Sequence, residues 1–177
     1  MSMLVPSVAL MAMHCHHPGQ KLVLASALLH MPFGVAYHAG AALNLYKCPV
    51  DNSMRRLDQT VQHVVAVPLA YALSHGSWQF ALLNFFPNAY WAWQIWMPRT
   101  KTKRWKWVGL SVALYTLPML WRGDVGNYLL ALSSMSAGGF LAFVLRCRWA
   151  LTIFHLLLGA FAAALARSSS GLEAKSI

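Results

Sequence analysis

Long apolar segments recur along the whole of this chain, separated by short polar or basic gaps. A segment of about 20 apolar residues is long enough to cross a bilayer as a helix. Charged residues make up only 10% of the 177 residues, whereas they make up about a quarter of an ordinary soluble domain. A membrane barrel would instead show segments of about 10 residues with alternating polarity. The sequence therefore predicts an all-α fold, a polytopic membrane helical bundle in a single domain over residues 1–166.

Seven apolar segments are expected to form the helices of this bundle. The last six are predicted at residues 22–46, 57–74, 78–97, 107–121, 125–145 and 149–166. The first, at residues 2–13, is short for a span. It could be a truncated helix, an interfacial segment or a helix that continues into residues 14–17, so the bundle has seven transmembrane helices, or six if this segment does not span. Residues 167–177 are expected to form a polar, disordered C-terminal tail.

The distribution of lysine and arginine predicts the orientation of the bundle. With seven spans, one side of the membrane holds ten of these cations: Lys47, Arg55, Arg56, Arg99, Lys101, Lys103, Arg104, Lys106, Arg146 and Arg148. The other side holds four: Lys21, Arg122, Arg167 and Lys175. Because cations accumulate on the inner side, the N-terminus is predicted on the positive side (cytosol, matrix or stroma) and the C-terminus on the opposite side.

The formal net charge of +10 would suggest nucleic-acid binding in a soluble protein. Here the cations lie in the gaps between apolar segments, including the basic loop 99–106, where topology and anionic lipid headgroups account for them. We therefore expect membrane lipids as partners and no nucleic acid. The three cysteines lie in unrelated segments and imply no disulfide framework.

Asp58 is the only carboxylate within a predicted span. An ionisable residue at membrane depth is costly, so it marks a functional site with a nearby partner. At a rise of about 1.5 Å per residue, His38 near the inner end of the second segment, Asp58 in the first turn of the third and His155 early in the seventh lie at similar depth. Two imidazoles and a carboxylate at one level can form a zinc site, where the metal acidifies a water and polarises a carbonyl.

Polar residues near these positions also admit other interpretations. Asp58 could pair with a histidine, or with an arginine just before it, in a network that only fixes helix packing. Ser26 and His30 also have S-x3-H spacing, but they are expected two turns nearer the outer face, away from Asp58. We therefore expect His30 to be a hydrogen-bonded core histidine and not part of the metal site. Residues 14–17, His-Cys-His-His, are metal-ligand types, but adjacent residues in a short turn cannot all face one ion.

The motifs around the three predicted site residues resemble those of a known superfamily. It joins the hemolysin III proteins, the progestin and adipoQ receptors (PAQR) and the alkaline ceramidases. Its seven-helix members carry S-x3-H near the end of the second helix, an Asp that opens the third after basic residues, and H-x3-H in the seventh. The chain is similar to this pattern in Ala36-Tyr37-His38, Arg55-Arg56-Leu57-Asp58 and Ile153-Phe154-His155-Leu156. Helix count, orientation and motif order agree over nearly the whole chain.

The resemblance implies an enzyme, a zinc-dependent hydrolase that cleaves an amide or ester bond of a lipid within the membrane. By comparison with the family, His38 and His155 are the metal ligands for Zn²⁺, and Asp58 is the catalytic carboxylate that acts through water. The chain departs from the family at Gly34, where the pattern has serine, and at Leu151, where it has the first histidine of H-x3-H. Two of the three histidine ligands therefore remain.

These departures leave two readings of the site open. Cys48 and Cys147, both toward the inner face, are candidate loop-borne substitutes for the missing ligand. His63 fits poorly, because it is about 140° round the helix from Asp58. The alternative function is a non-catalytic member with a degenerate metal site, acting as a lipid-binding, receptor-like or accessory subunit of a larger membrane complex.

Overall fold

Seven α-helices form most of the structure, which is a computed structural model. It describes residues 5–13, 15–47, 51–97, 104–141 and 150–171. The helices are α1 (Val5–Ala12), α2 (Pro18–Ala42), α3 (Ser53–Leu73), α4 (Trp78–Trp96), α5 (Arg104–Trp121), α6 (Val125–Phe140) and α7 (Ala150–Ser168), followed by a short 3-10 helix (Ser169–Gly171). These five stretches contain no strand, so the predicted all-α class is confirmed.

Some sequence-based predictions fall outside these stretches. The candidate ligands His14, Cys48 and Cys147 lie outside the described residues. So do residues 98–103 of the basic loop and residues 172–177 of the predicted tail. Leu151 belongs to α7, but only its backbone is described.

Two helices of the described part of the chain are long and apolar enough to cross a membrane, namely Pro18–Ala42 and Thr152–Gly171. This criterion uses length and composition only, and a buried core helix or a signal sequence can also satisfy it. The seven helices are thus established as helices, and the crossing of a membrane by each of them stays a prediction.

The central helix of the bundle is α3, which packs against α2, α4 and α5. Its buried apolar residues recur every fourth position at Val61, Val65, Leu69 and Leu73, and they join Phe161 of α7 in one core. This spacing places an apolar stripe along one face of the helix. The position of α3 explains why its polar residues contact several neighbouring helices.

The ends of α2 and α3 differ from the predicted ends. The third helix begins before residue 57, because Asn52 Oδ1 accepts a hydrogen bond from the backbone N–H of Arg55 at 2.8 Å and caps the helix at Ser53. Asp58 therefore lies in the second turn, not the first. The second helix ends at Ala42, which leaves His38 about one turn from its end instead of two.

Small residues bring α6 and α7 close together. A Cβ atom at Gly138 would lie 2.6 Å from Cδ2 of Phe154, so no larger residue fits without movement. Ser134, one turn earlier on α6, is also buried. Small residues allow helix backbones to approach in this way.

Contacts at both ends of the bundle indicate that consecutive helices run in opposite directions. Trp96 Nε1, at the end of α4, donates to Thr60 Oγ1, near the start of α3, at 3.0 Å. At the opposite end, Arg122 Nη2 donates to Ser168 Oγ at 2.7 Å and to the Ser168 carbonyl at 3.0 Å. Arg122 also contacts the ring of His75. The carboxyl ends of α3, α5 and α7 thus meet around one guanidinium, where a cation is favourable.

The predicted polar tail begins as packed structure. Ser168 and Ser169 are 4% and 0% exposed, and Ser169–Gly171 forms the 3-10 helix. The hydrogen bonds from Arg122 fix the first of these serines. The expectation of disorder is therefore wrong for residues 167–171, because Arg122 binds Ser168 and the hydroxyls of Ser169 and Ser170 donate to backbone carbonyls of α7.

Replacing Arg122 with alanine should lower the free energy of unfolding by about 1–3 kcal/mol, because buried acceptors on Ser168 lose their donor. Burial lowers the pKa of Arg122 and the carboxylate of Asp124 opposes this shift, but a guanidinium stays charged at neutral pH. Arg167, which is exposed, provides the matched control, since its replacement by alanine should change the same quantity by less than about 0.5 kcal/mol. Chemical denaturation of the purified variants measures both effects, and equal losses would contradict the role of Arg122.

Candidate functional site

A cavity of about 220 Å³ lies mainly between α2, α3, α5 and α7. All three residues predicted for the site, His38, Asp58 and His155, line it. Its wall is otherwise mostly apolar, and the remaining polar side chains on it are Ser26, His30, Gln62, Ser111 and Tyr115. The cavity therefore has the composition of a ligand site, with a few polar groups in an apolar wall.

The two predicted metal ligands are neighbours on the wall of the cavity. The ring centres of His38 and His155 are 5.6 Å apart and the ring planes are nearly perpendicular, at 89°. His155 is only 2% exposed, and its neighbour Phe154 packs against Gly138 of α6. The close α6–α7 contact thus fixes the position from which His155 reaches His38.

Asp58 pairs with a histidine that was predicted to lie away from it. His30 Nε2 is 2.8 Å from Asp58 Oδ1, and Asp58 is 7% exposed. The side-chain nitrogen of Gln62 lies 3.3 Å from the same ring nitrogen. Asp58 and Gln62 are four residues apart and so share one face of α3. The prediction that His30 is remote from Asp58 is therefore wrong.

The error comes from counting depth along the helices from predicted ends. An earlier start of α3 moves Asp58 deeper into the bundle by about 6 Å, at about 1.5 Å per residue. On α2, the eight residues from His30 to His38 correspond to roughly 80° of rotation, so both rings can face the same cavity. Asp58 therefore shares the cavity wall with both of these histidines of α2.

The spacing of the imidazole pair is compatible with one zinc ion, but the described residues do not supply a full set of protein ligands. Two imidazoles on one tetrahedral zinc, with Zn–N distances of about 2.0–2.1 Å, have ring centres roughly 5 Å apart, close to the observed 5.6 Å. Within the described stretches, no group of three or more His, Cys, Asp or Glu side chains is placed to hold a metal. His38 and His155 thus have the ring-centre spacing of a zinc-bound pair, while Asp58 is engaged by His30.

The arginines before Asp58 have other contacts. Arg56 Nε and Nη2 donate to the two carboxylate oxygens of Asp51 at 3.0 and 3.1 Å. The guanidinium of Arg55 lies over the ring of Tyr37, 5.8 Å from its centre. The observed partner of Asp58 is therefore His30, and not one of the two arginines.

A second buried polar network, which sequence analysis missed, joins α3, α4 and α5. Asn88 Nδ2 donates to the carbonyl of Asn84 at 2.8 Å, which identifies Asn88 Oδ1 as the acceptor of the group. Ser111 Oγ donates to that oxygen at 2.5 Å, and His63 Nδ1 lies 2.8 Å from it. The proton of His63 therefore lies on Nδ1. The i, i+4 spacing of Asn84 and Asn88 was the available signal. His63 is engaged by Asn88 and does not line the cavity of His38 and His155.

The polar cluster before α2 has no features of a metal centre in its described part. The thiol of Cys15 donates to the Leu10 carbonyl at 3.3 Å, and burial raises its pKa, which disfavours the thiolate that binds metals. The backbone N–H groups of His16 and His17 both donate to Gln20 Oε1. These contacts belong to the start of α2.

Comparison with protein-family models, with curated proteins and with solved structures found no match to the chain. The similarity to the hemolysin III, PAQR and ceramidase superfamily thus rests on the three short motifs quoted above.

The contact between His30 and Asp58 should appear as energetic coupling. In a double-mutant cycle with His30→Gln and Asp58→Asn, we expect a coupling free energy of about 1–3 kcal/mol, as for residues in one buried network. The half-exposed pair of Arg56 and Asp51 provides the control and should couple by about 0.2–1 kcal/mol. Unfolding free energies of the four proteins in each cycle measure both values. Additive effects of His30→Gln and Asp58→Asn would contradict the pairing.

Proposed function

We propose that the chain is an integral membrane protein whose seven helices span the bilayer. The distribution of polarity supports this, because large apolar side chains are exposed on every helix while polar ones lie inside. On α4 the exposed apolar residues are Trp78, Leu82, Leu83, Phe85, Phe86, Tyr90, Trp93 and Trp96. The buried polar residues include Asp58, Gln59, His63, Asn84, Asn88, Ser111 and His155. Soluble monomers rarely expose apolar patches of this extent, whereas lipid would cover them.

Two further features favour the membrane. Prolines lie inside four helices, at Pro32, Pro68, Pro87 and Pro118, and proline is more frequent in transmembrane helices than in soluble ones. The excess of cations at one end orients that end, with the N-terminus, toward the cytosol, matrix or stroma. Membrane lipids are then the immediate partners, and the chain could act alone or within a larger membrane complex.

We further propose that the cavity is the active site of a hydrolase that cleaves an amide or ester bond of a lipid. The observation that carries this proposal is the convergence of two imidazoles and a His30–Asp58 pair in one cavity whose wall is otherwise mostly apolar. The apolar wall would bind the aliphatic part of a lipid and exclude bulk water. The polar groups would meet the bond at the lipid headgroup, which is where a carbonyl lies.

His38 and His155 are the residues that would hold Zn²⁺, and a bound zinc would supply Lewis-acid activation of the carbonyl and of water. The 5.6 Å separation of the two ring centres supports this role. Asp58 would keep a negative charge beside the reacting groups without binding the metal, because its carboxylate is engaged by His30. The three motifs that resemble the ceramidase and PAQR superfamily support the same substrate class.

A non-catalytic function is the second candidate, and one observation favours it. No third metal ligand joins His38 and His155 within the described residues. A two-histidine site binds zinc weakly, so the cavity could instead bind a lipid without cleaving it, in a receptor-like or accessory subunit. The metal content of the protein separates the two candidates.

The membrane proposal predicts a large effect for Phe86→Arg. Phe86 is 67% exposed at the middle of α4. In a bilayer this change should cost about 2.5–3.5 kcal/mol, whereas on a water-facing surface it should cost about 0.5 kcal/mol or less. Trp121→Arg is the control, because Trp121, 80% exposed at the end of α5, lets the arginine reach the interface. The free energies of unfolding of the two variants and of the wild-type protein are measured in lipid vesicles. Equal, small losses for both variants would exclude membrane burial of α4.

The metal proposal predicts that the purified protein holds about one zinc per chain, as expected for a single catalytic site. His38→Gln and His155→Gln should each weaken zinc binding by at least about 100-fold, because loss of a ligand exceeds the effect of losing an outer partner. His17→Gln, at an exposed position, should leave zinc binding unchanged. Elemental analysis and competitive chelation provide the measurement. If the wild-type protein retains no zinc, the non-catalytic function is favoured.

A further inference from the structure

The pairing of His30 with Asp58 has a consequence for the chemistry of the cavity. We propose that His30 is the acid–base residue of the site and that Asp58 is the positioning residue that orients it. This assignment rests on the proposed hydrolase function. It reverses the roles expected from the sequence, in which Asp58 itself exchanges a proton with water.

The hydrogen-bond geometry determines which ring nitrogen is available. An ionised carboxylate can only accept hydrogen bonds. Since Asp58 Oδ1 is 2.8 Å from His30 Nε2, Nε2 carries the hydrogen of the neutral ring. The lone pair is then on Nδ1, the opposite ring nitrogen, which becomes the proton acceptor. The side-chain nitrogen of Gln62 lies 3.3 Å from Nε2. Because an amide nitrogen is only a donor, it packs beside the protonated Nε2 without a hydrogen bond.

Exposure determines which partner can touch a ligand. The side chain of His30 is 29% exposed, whereas that of Asp58 is 10% exposed, and both line the cavity. The imidazole is therefore the accessible member of the pair, and the carboxylate lies behind it. A base that is oriented by a buried carboxylate through its other ring nitrogen is the arrangement by which Asp-His pairs act in hydrolases.

The reaction can be written with water as the only co-reactant. His30 Nδ1 takes one proton from water as the water oxygen attacks the acyl carbon. The C–N or C–O bond then breaks, and the same proton passes from Nδ1 to the departing nitrogen or oxygen. The products are a carboxylic acid and an amine or alcohol, and His30 returns to its neutral form. Asp58 stabilises the transient imidazolium and gains no proton.

Histidine NMR tests the pairing without any substrate. In protein labelled with ¹⁵N on its histidine rings, His30 should show hydrogen on Nε2, and Asp58→Asn should shift that signal toward a mixture of tautomers. The signal of exposed His17 should not change. A wild-type His30 that carries its hydrogen on Nδ1, or a signal unaffected by Asp58→Asn, would overturn the orientation of the pair.

Kinetics test the catalytic role on two probes, a long-chain N-acyl aminocoumarin and the matching umbelliferyl ester in mixed micelles. His30→Gln should lower kcat by about 10²–10⁴-fold, the usual contribution of a general acid–base residue, with KM changed less than about threefold and zinc content unchanged. Imidazole added to His30→Ala should restore part of the rate. His17→Gln should retain full activity.

The outcomes separate the two proposals. Turnover that survives His30→Gln while His38→Gln abolishes it would overturn the role of His30 and leave the hydrolase standing. No turnover of either probe by the wild-type protein would overturn the hydrolase and, with it, the catalytic assignment of His30. Loss of zinc in His30→Gln would also overturn the assignment, because it would make His30 a metal ligand.

Discussion

A polar side chain inside an apolar helix bundle requires a hydrogen-bond partner, and α3 finds such partners on neighbouring helices at three levels. Near its start, Asp58 contacts His30 of α2. At mid-length, His63 contacts Asn88 of α4. Just beyond its end, His75 meets Arg122 and the last carbonyl of α7. An unpaired buried polar group is unfavourable by a few kcal/mol, so these contacts select the neighbours and the register of the central helix.

This requirement links the fold to the candidate site. The apolar stripe of α3 explains only why the helix is buried, because the hydrophobic effect is non-directional and any apolar neighbour could cover the stripe. The polar contacts are directional and decide which helix lies where. The cavity forms where α2, α3, α5 and α7 come together. Asp58 and His30, which form one of these polar contacts, line it. A single set of interactions therefore both specifies the packing and supplies the reactive groups.

The sequence predicted the helices well because their signals are local. Each apolar segment became a helix, with ends a few residues from the predicted ones where the structure describes those ends. His38, Asp58 and His155 do line one cavity. The partner of Asp58 was predicted wrongly because depth accumulates errors from helix ends, and the Asn52 cap was not used. The Asn88 network joins three helices. The spacing of Asn84 and Asn88 within α4 could indicate a polar face on that helix, but not its partners on α3 and α5.

The contact between Gly138 and Phe154 gives a residue outside the cavity control over its width. Any side chain at position 138 would press on the ring of Phe154, and the next residue along α7 is His155. A shift of α7 by even part of an ångström would change the separation of the two imidazoles. A substitution at position 138 of α6 could thus change the spacing of this pair without altering either histidine. Glycine at this position permits the close contact between α6 and the ring of Phe154.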